Sequence, residues 1–213
     1  LAAERLAKVQ WLVEHGYLKS ERLKQTLLRV PREDFIPRRY RDYAYLEVPL
    51  PLRGKIASIS CLHSYPLFYE PLGLDQGQKF LEVGLVSGFG TAVAREVVGA
   101  EGVVVAIEID PVTFRFARKN LRRAGYTDVV LVRGDGGLGY PRLSPYDGIS
   151  ITAACPEIPT PLIEQLCIGG RLIAPVLEQD TQNLILIEKT AEGIRRQALY
   201  QVLYVPLRGL YGQ

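Results

Sequence analysis

The chain has 213 residues, with 26 Lys and Arg against 23 Asp and Glu, a net charge of +3, and 47% hydrophobic residues. This is ordinary globular composition, long enough to bury a sizeable core, and it argues against global disorder. The charge balance demands no nucleic-acid partner, and no apolar run approaches the roughly 18 residues that cross a bilayer.

The start, LAAERLAKVQWLVEHG, is charged and amphipathic and does not read as a secretion signal. Leu6, Val9, Val13 and Tyr17 predict a first helix, ended near Gly16. Ser20 is placed to cap a second helix carrying Leu23, Leu27 and Val30 and stopped by Pro31. Residues 31–57, rich in Pro, Arg and Tyr, predict an irregular segment of the kind that covers a site.

From Gln78 strands and helices alternate. KFLEV predicts a buried strand, GLVSGFG a glycine-rich turn, and TAVAREVVG a helix ended by Gly99. VVVAIEI is a second strand, and PVTFRFARKNLRRAG a helix with Pro at its start and Gly at its end. DVVLVRG and YDGISITA are the third and fourth strands. PTPLIEQLCIGG predicts a helix closed by Gly169 and Gly170, and RLIAPVL a fifth strand. NLILIEKT and ALYQVLYVPL lack a helix between them and are expected to pair antiparallel. The pattern predicts one α/β domain, residues 1–213, with a mostly parallel sheet: an N-terminal covering part to 77, a βα core over 78–177 and C-terminal strands over 178–213.

In such sheets ligands sit at the carboxyl ends of the strands, near the switch in strand order. Gly84, Ser87 and Gly88 lie in the turn after the first strand, where glycine admits close backbone approach and a helix start offers free N–H groups. Glu108 closes the second strand, 24 residues after Gly84, where a carboxylate can accept from both hydroxyls of a ribose. Asp135 and Gly136 follow the third strand, with Asp135 a candidate acceptor for an adenine amino group. Each feature alone is common in ordinary turns, but the three at successive strand ends converge on an adenosine-like ligand. The turn after the first strand carries no Gly-x-Gly-x-x-Gly run, which speaks against a nicotinamide dinucleotide, and no Walker lysine follows it. Cys61, Cys155 and Cys167 make neither a disulfide framework nor a zinc-site spacing, so no metal is expected and reduced thiols fit a cytoplasmic protein.

LEVGLVSGFGTAVA, VVAIEID, ARKNLRRAGY, VRGDGGLGYP, the run from Tyr146 to Val176, and VLYVPL together resemble the protein-L-isoaspartate O-methyltransferase family. Upstream, VPREDFIP, AYLEVPLPL and SISCLH continue the likeness. The resemblance implies a Rossmann-like class I methyltransferase fold with S-adenosyl-L-methionine as cofactor. It also implies carboxyl methylation of L-isoaspartyl residues in damaged proteins and peptides, a repair reaction. On the family's Thr-Ile-Ser-x-Pro-His segment, Ser60 falls on the active-site serine and His63 on a cofactor-side position. The nucleophile would be a carboxylate, already ionised near neutral pH, so positioning rather than a strong base is expected to carry catalysis.

Three departures stand out. Val86 replaces a customary glycine, Leu62 a proline and Glu47 an aspartate. Valine resists positive φ and adds a branched side chain where backbone should approach the ligand. Two other readings remain open: a relative that binds the cofactor weakly or does not transfer methyl, or a methyltransferase for RNA or a small molecule, hinted at by Arg38, Arg39 and Arg41.

Overall fold

The structure is a computed structural model that describes residues 1–52 and 57–212. Part of the predicted irregular segment, residues 53–56, therefore lies outside the described residues. Two helices open the chain, α1 (Ala2–Glu14) and α2 (Glu21–Arg29). The Ser20 hydroxyl accepts the Leu23 N–H at 3.2 Å, which is the predicted cap. The buried stripe of α1 is Val9 and Leu12, while Leu6 stays 60% exposed. Two 3-10 turns, Arg32–Phe35 and Arg38–Tyr43, then lead to a small antiparallel pair, β1 (Leu50–Pro51) and β2 (Ser58–Ile59).

A helix that the sequence reading did not expect follows, α3 (Ser64–Leu72). Its two prolines hid it, yet Pro66 sits in the first turn, where its missing N–H costs nothing, and Pro71 lies in the last turn. Gly73 ends it in the left-handed conformation.

The core alternates as predicted: β3 (Lys79–Val83), α4 (Phe89–Val98), β4 (Val103–Glu108), α5 (Pro111–Arg123), β5 (Val130–Arg133) and β6 (Tyr146–Ile151). Next come α6 (Thr160–Glu164), β7 (Leu166–Glu178), β8 (Thr181–Thr190) and β9 (Gly193–Val202). The seven-stranded sheet has the order β5-β4-β3-β6-β7-β8-β9. The first five are parallel, and β8 and β9 pair antiparallel at one edge. Strand order reverses at β3, which lies between β4 and β6, and opens a crevice at their carboxyl ends.

Alternate residues of each strand feed opposite faces. Phe80, Val104 and Ala106 join one apolar cluster with Val9, Leu12, Leu23 and Leu27 of the N-terminal helices. Leu81, Val83, Val105, Ile107, Ile149 and Ile151 build the other. Burial on both faces explains why these strands read as continuous apolar runs.

Two boundaries differ from expectation. The helix predicted through Gly170 ends at Glu164, and Leu166 onward joins β7, pairing with Tyr146. Lys189 ends that helix by donating to the carbonyls of Ile163, Glu164 and Leu166 at 3.1, 3.1 and 2.8 Å. The last predicted strand stops at Val202. Residues from Leu203 leave the sheet and run beside Ala154, whose N–H donates to Val205 at 2.8 Å and whose carbonyl accepts from Leu207 at 2.7 Å.

Candidate active site

The turn after β3 is held in an uncommon backbone shape. Gly84 has φ 95°, and a Cβ there would collide with the Thr152 hydroxyl, so only glycine fits between β3 and the end of β6. Val86 also has positive φ, at 49°. A β-branched residue in this region is a true outlier, where glycine would carry no such strain. The side chain that sequence reasoning expected to resist positive φ has adopted it.

Glu108, at the end of β4, faces this turn. It is 7% exposed, its Oε2 accepts the Val86 N–H at 3.3 Å, and its Oε1 accepts the Asp110 N–H at 2.9 Å. Burial raises its pKa, and the two backbone N–H groups oppose that rise. Asp110 caps α5 through the Val112 and Thr113 N–H groups, at 3.1 and 2.7 Å.

Two cavities meet at this turn. The first, about 300 Å³, has Glu108, Gly84 and Gly136 in its wall, with Val83, Ile107, Ala153 and Leu207 as apolar lining. The second, about 380 Å³, is lined by Ser60, His63, Tyr65, Glu82, Ser87 and Tyr204 among others. Ala57, Gly84, Val86, Thr152 and Val205 belong to both walls, so the glycine turn, the residue after β6, the C-terminal segment and the residue before β2 all border the two spaces.

The predicted residues divide accordingly. Gly84, Glu108 and Gly136 reach the first space, and Ser60, His63 and Ser87 reach the second. Gly88 lies below the turn as the N-cap of α4, where a Cβ would stand 2.9 Å from Leu121. Asp135 is not among the residues lining either cavity. Its Oδ1 accepts the Gly137 N–H at 2.9 Å, and its Oδ2 accepts the Leu210 N–H at 2.7 Å. These two bonds tie the C-terminal segment to the turn after β5.

Ser60 follows β2 directly and is anchored through its backbone. Arg32, 1% exposed, donates from its guanidinium to the Ser60 carbonyl and to the Ala44 carbonyl, each at 2.7 Å. Tyr204 borders the same space; burial raises its phenol pKa, and the Ser60 and Ser64 hydroxyls lower it. His63 Nδ1 hydrogen-bonds to Glu47, whose other oxygen pairs with Lys8 at 2.6 Å.

Sequence reasoning missed Glu82. It is 3% exposed, accepts the Thr91 hydroxyl, and is pushed up to about 8, above all by burial. A charged residue inside an apolar strand, two positions before the glycine turn, was the available signal.

The lining chemistry suits a nucleoside that carries positive rather than negative charge. Among the described residues Arg208 is the single basic residue in the first wall, and the Glu108 carboxylate there would repel phosphates; Glu82, raised to about 8 by burial, ionises readily only beside a positive group. Glu82 has no cationic partner in its hydrogen bonds and salt bridges among the described residues, which leaves room for a ligand's positive group.

Comparison with known proteins agrees. The family model for protein-L-isoaspartate(D-aspartate) O-methyltransferase matches residues 4–211. Protein-L-isoaspartate O-methyltransferase of Methanothermobacter thermautotrophicus is 42% identical over 211 residues, covering 98% of this chain and 97% of that protein. The Hyperthermus butylicus protein of the same name is 44% identical, covering 96% and 88%. A solved protein-L-isoaspartate O-methyltransferase superposes with a TM-score of 0.88 at 30% identity, covering 98% of this chain and 67% of that one. A beta-aspartate methyltransferase from Plasmodium falciparum, in complex with S-adenosyl-L-homocysteine, has the same fold (TM-score 0.86, 23% identity, 96% and 98% coverage). The fold is Rossmann-like, and the chain belongs to the protein-L-isoaspartate(D-aspartate) O-methyltransferase family.

Proposed function

We propose that this protein methylates the free α-carboxylate of L-isoaspartyl residues in damaged proteins, using S-adenosyl-L-methionine. The observation that carries this reading is the pair of adjoining cavities sharing the Gly84–Val86 turn, one walled by Glu108 and the other by Ser60. A cofactor in one and a second reactant in the other would meet beside this turn.

In this reading Glu108 accepts from the ribose hydroxyls, while Gly136 and the apolar wall of Val83, Ile107 and Leu207 take the adenine. Gly84, Val86 and Ser87 carry the methionine portion, and Glu82 faces its cationic end. The bound cofactor supplies a methyl group activated by a sulfonium. The chain's task is then to orient a carboxylate, which needs no deprotonation near neutral pH. Ser60 donates a hydrogen bond that holds this carboxylate, and Arg32 fixes Ser60 by gripping its carbonyl. Leu203–Arg208, drawn across the sheet's end by Ala154, excludes water from the meeting point. In the resulting methyl ester the neighbouring backbone nitrogen can attack the carbonyl and expel methanol, closing a succinimide whose hydrolysis opens a route back to aspartate. His63, expected on the cofactor side, borders the Ser60 cavity and is held there by Glu47.

The partners in this reading are isoaspartyl proteins and peptides, and the compartment is the cytoplasm. No described helix is long and apolar enough to cross a membrane, and the three cysteines are unpaired. An RNA substrate has less support, because Arg38, Arg39 and Arg41 line neither cavity.

The test is incubation with methyl-labelled S-adenosyl-L-methionine and two peptides differing only in isoaspartate against aspartate. Base-labile label on the isoaspartyl peptide alone is expected. Equal labelling of both, or of neither while RNA is labelled, would overturn the reading.

A further inference from the structure

Glu47, Cys61 and His63 approach one another from two separate segments. Glu47 lies in the loop after the Arg38–Tyr43 turn, and Cys61 and His63 flank Leu62 in the bend leading into α3. One carboxylate oxygen, the thiol sulfur and one imidazole nitrogen all lie within 4.8 Å of one another. Cys61 is a free thiol. None of this was legible from cysteine spacing, because the three donors meet only through the bend before α3.

We propose that Glu47, Cys61 and His63 form a three-ligand site for a borderline-soft divalent cation of the zinc class, on the wall of the Ser60 cavity. The donor set is one S, one N and one O. Zinc takes these three types at about 2.0–2.3 Å, which sets neighbouring ligand atoms roughly 3.5 Å apart in a tetrahedron. Small side-chain rotations bring the observed cluster to that spacing. Calcium and magnesium prefer all-oxygen shells and are poorly matched.

On binding, the cation takes the place between His63 Nδ1 and Glu47 Oε2 that a hydrogen bond fills now. The thiol proton passes to solvent as the metal–sulfur bond forms, and the His63 proton moves from Nδ1 to Nε2 through solvent as the metal–nitrogen bond forms, with no change of oxidation state. Lys8 stays on the other oxygen of Glu47, leaving Oε2 free for the metal. Three protein ligands leave the fourth position to water.

The site has a consequence for the neighbouring chemistry, which rests on the proposed function. Cys61 is bonded directly to Ser60, and both Cys61 and His63 line the cavity that Ser60 borders. A metal holding Cys61 and His63 together fixes this segment and places a charged, hydrated ion where the substrate carboxylate must enter. Occupancy therefore slows methyl transfer.

The experiment uses the full chain and Co²⁺ as the spectroscopic probe, displaced afterwards by Zn²⁺. One equivalent of Co²⁺ is expected to give a thiolate-to-metal charge-transfer band and the strong visible bands of a tetrahedral site. Cys61→Ser should abolish the charge-transfer band and weaken binding by more than the roughly 10–100-fold that loss of an outer-shell partner costs. Glu47→Gln should weaken binding while keeping the band, and Cys167→Ser should change neither. Circular dichroism checks that each variant is folded. No band in the parent, or an unchanged band in folded Cys61→Ser, would overturn the site. If the band forms but zinc leaves methyl transfer unchanged, the inhibitory consequence falls while the site stands. An enzyme inactive without metal that still shows the band would instead count against the proposed function.

Discussion

Val86 donates its backbone N–H to Glu108 at 3.3 Å while its own φ stands at 49°. The glycine-rich turn is thus tied to the carboxylate at the end of the next strand through a residue whose backbone is strained. Strain of this kind costs of the order of 1–3 kcal/mol. Val86→Gly relieves it, against an entropic cost of about 0.5–1 kcal/mol from a freer unfolded chain. The melting temperature of the apo protein should therefore hold or rise. Affinity for S-adenosyl-L-homocysteine should rise as well, because the branched side chain leaves both cavity walls. Calorimetry and thermal melts check both, and weaker binding would show that the turn has adapted to valine.

Glu108 is predicted to carry much of the cofactor's affinity. Glu108→Ala removes a charged acceptor, at a cost of roughly 1.5–3 kcal/mol, or about 10- to 150-fold in Kd. It also leaves the Val86 and Asp110 N–H groups without their acceptor, so Glu108→Gln, which keeps one oxygen, should lose less. Calorimetric titration with S-adenosyl-L-homocysteine checks the order, and parent-like affinity in Glu108→Ala would remove the ribose assignment.

Glu82 should make stability pH-dependent. Its folded pKa is about 8 against an ordinary 4.5, so the folded protein keeps a proton that the unfolded chain has already released. The apo protein should lose stability as pH rises between those values, and the loss should be complete above about 8. At about 1.4 kcal/mol per pKa unit the whole effect amounts to several kcal/mol. Denaturant melts at pH 5, 7 and 9 should show this slope, and Glu82→Gln should flatten it. An equal slope in both proteins would mean that Glu82 is not the group responsible.

The parts of this architecture legible in sequence were those with a continuous physical signature. Strands β3, β4 and β6 are buried on both faces and announce themselves as apolar runs, and Asp110-Pro111 announces the start of α5. Glu108 could be placed because it ends such a run. Helix α3 could not, since Pro66 and Pro71 speak against a helix unless their places in its first and last turns are known. The bond from the Leu210 N–H to Asp135 could not be read either, because the two residues lie 75 positions apart and only the fold brings them together. The segment from Leu203 to Leu207 looked like strand because its β-type residues do pair, but with Ala154 rather than with the sheet's edge.

Arg32 is a positioning residue whose guanidinium joins the Ala44 and Ser60 carbonyls. Arg32→Lys keeps the charge but cannot span both, so the methylation rate should fall by about tenfold or more if Ser60 shifts even modestly. The KM for S-adenosyl-L-methionine should change little, because Arg32 lines neither cavity. A merely structural role would lower the melting temperature while leaving the rate of the folded fraction unchanged. Steady-state kinetics below the melting transition separates the two.

The most direct measurement is single-turnover methyl transfer to an isoaspartyl peptide by the parent and by Ser60→Ala, with S-adenosyl-L-homocysteine affinity taken in parallel. One lost hydrogen bond costs about 0.5–1.5 kcal/mol, and misplacement of the reacting atoms can extend the loss to the order of 100-fold in rate. The account predicts rapid transfer by the parent and a rate at least about tenfold lower for Ser60→Ala, with cofactor affinity nearly unchanged. Raising the pH from 7 to 8.5 should not rescue the variant, since the nucleophile is already ionised. A parent that binds S-adenosyl-L-homocysteine yet transfers no methyl, or a Ser60→Ala that turns over like the parent, would contradict it.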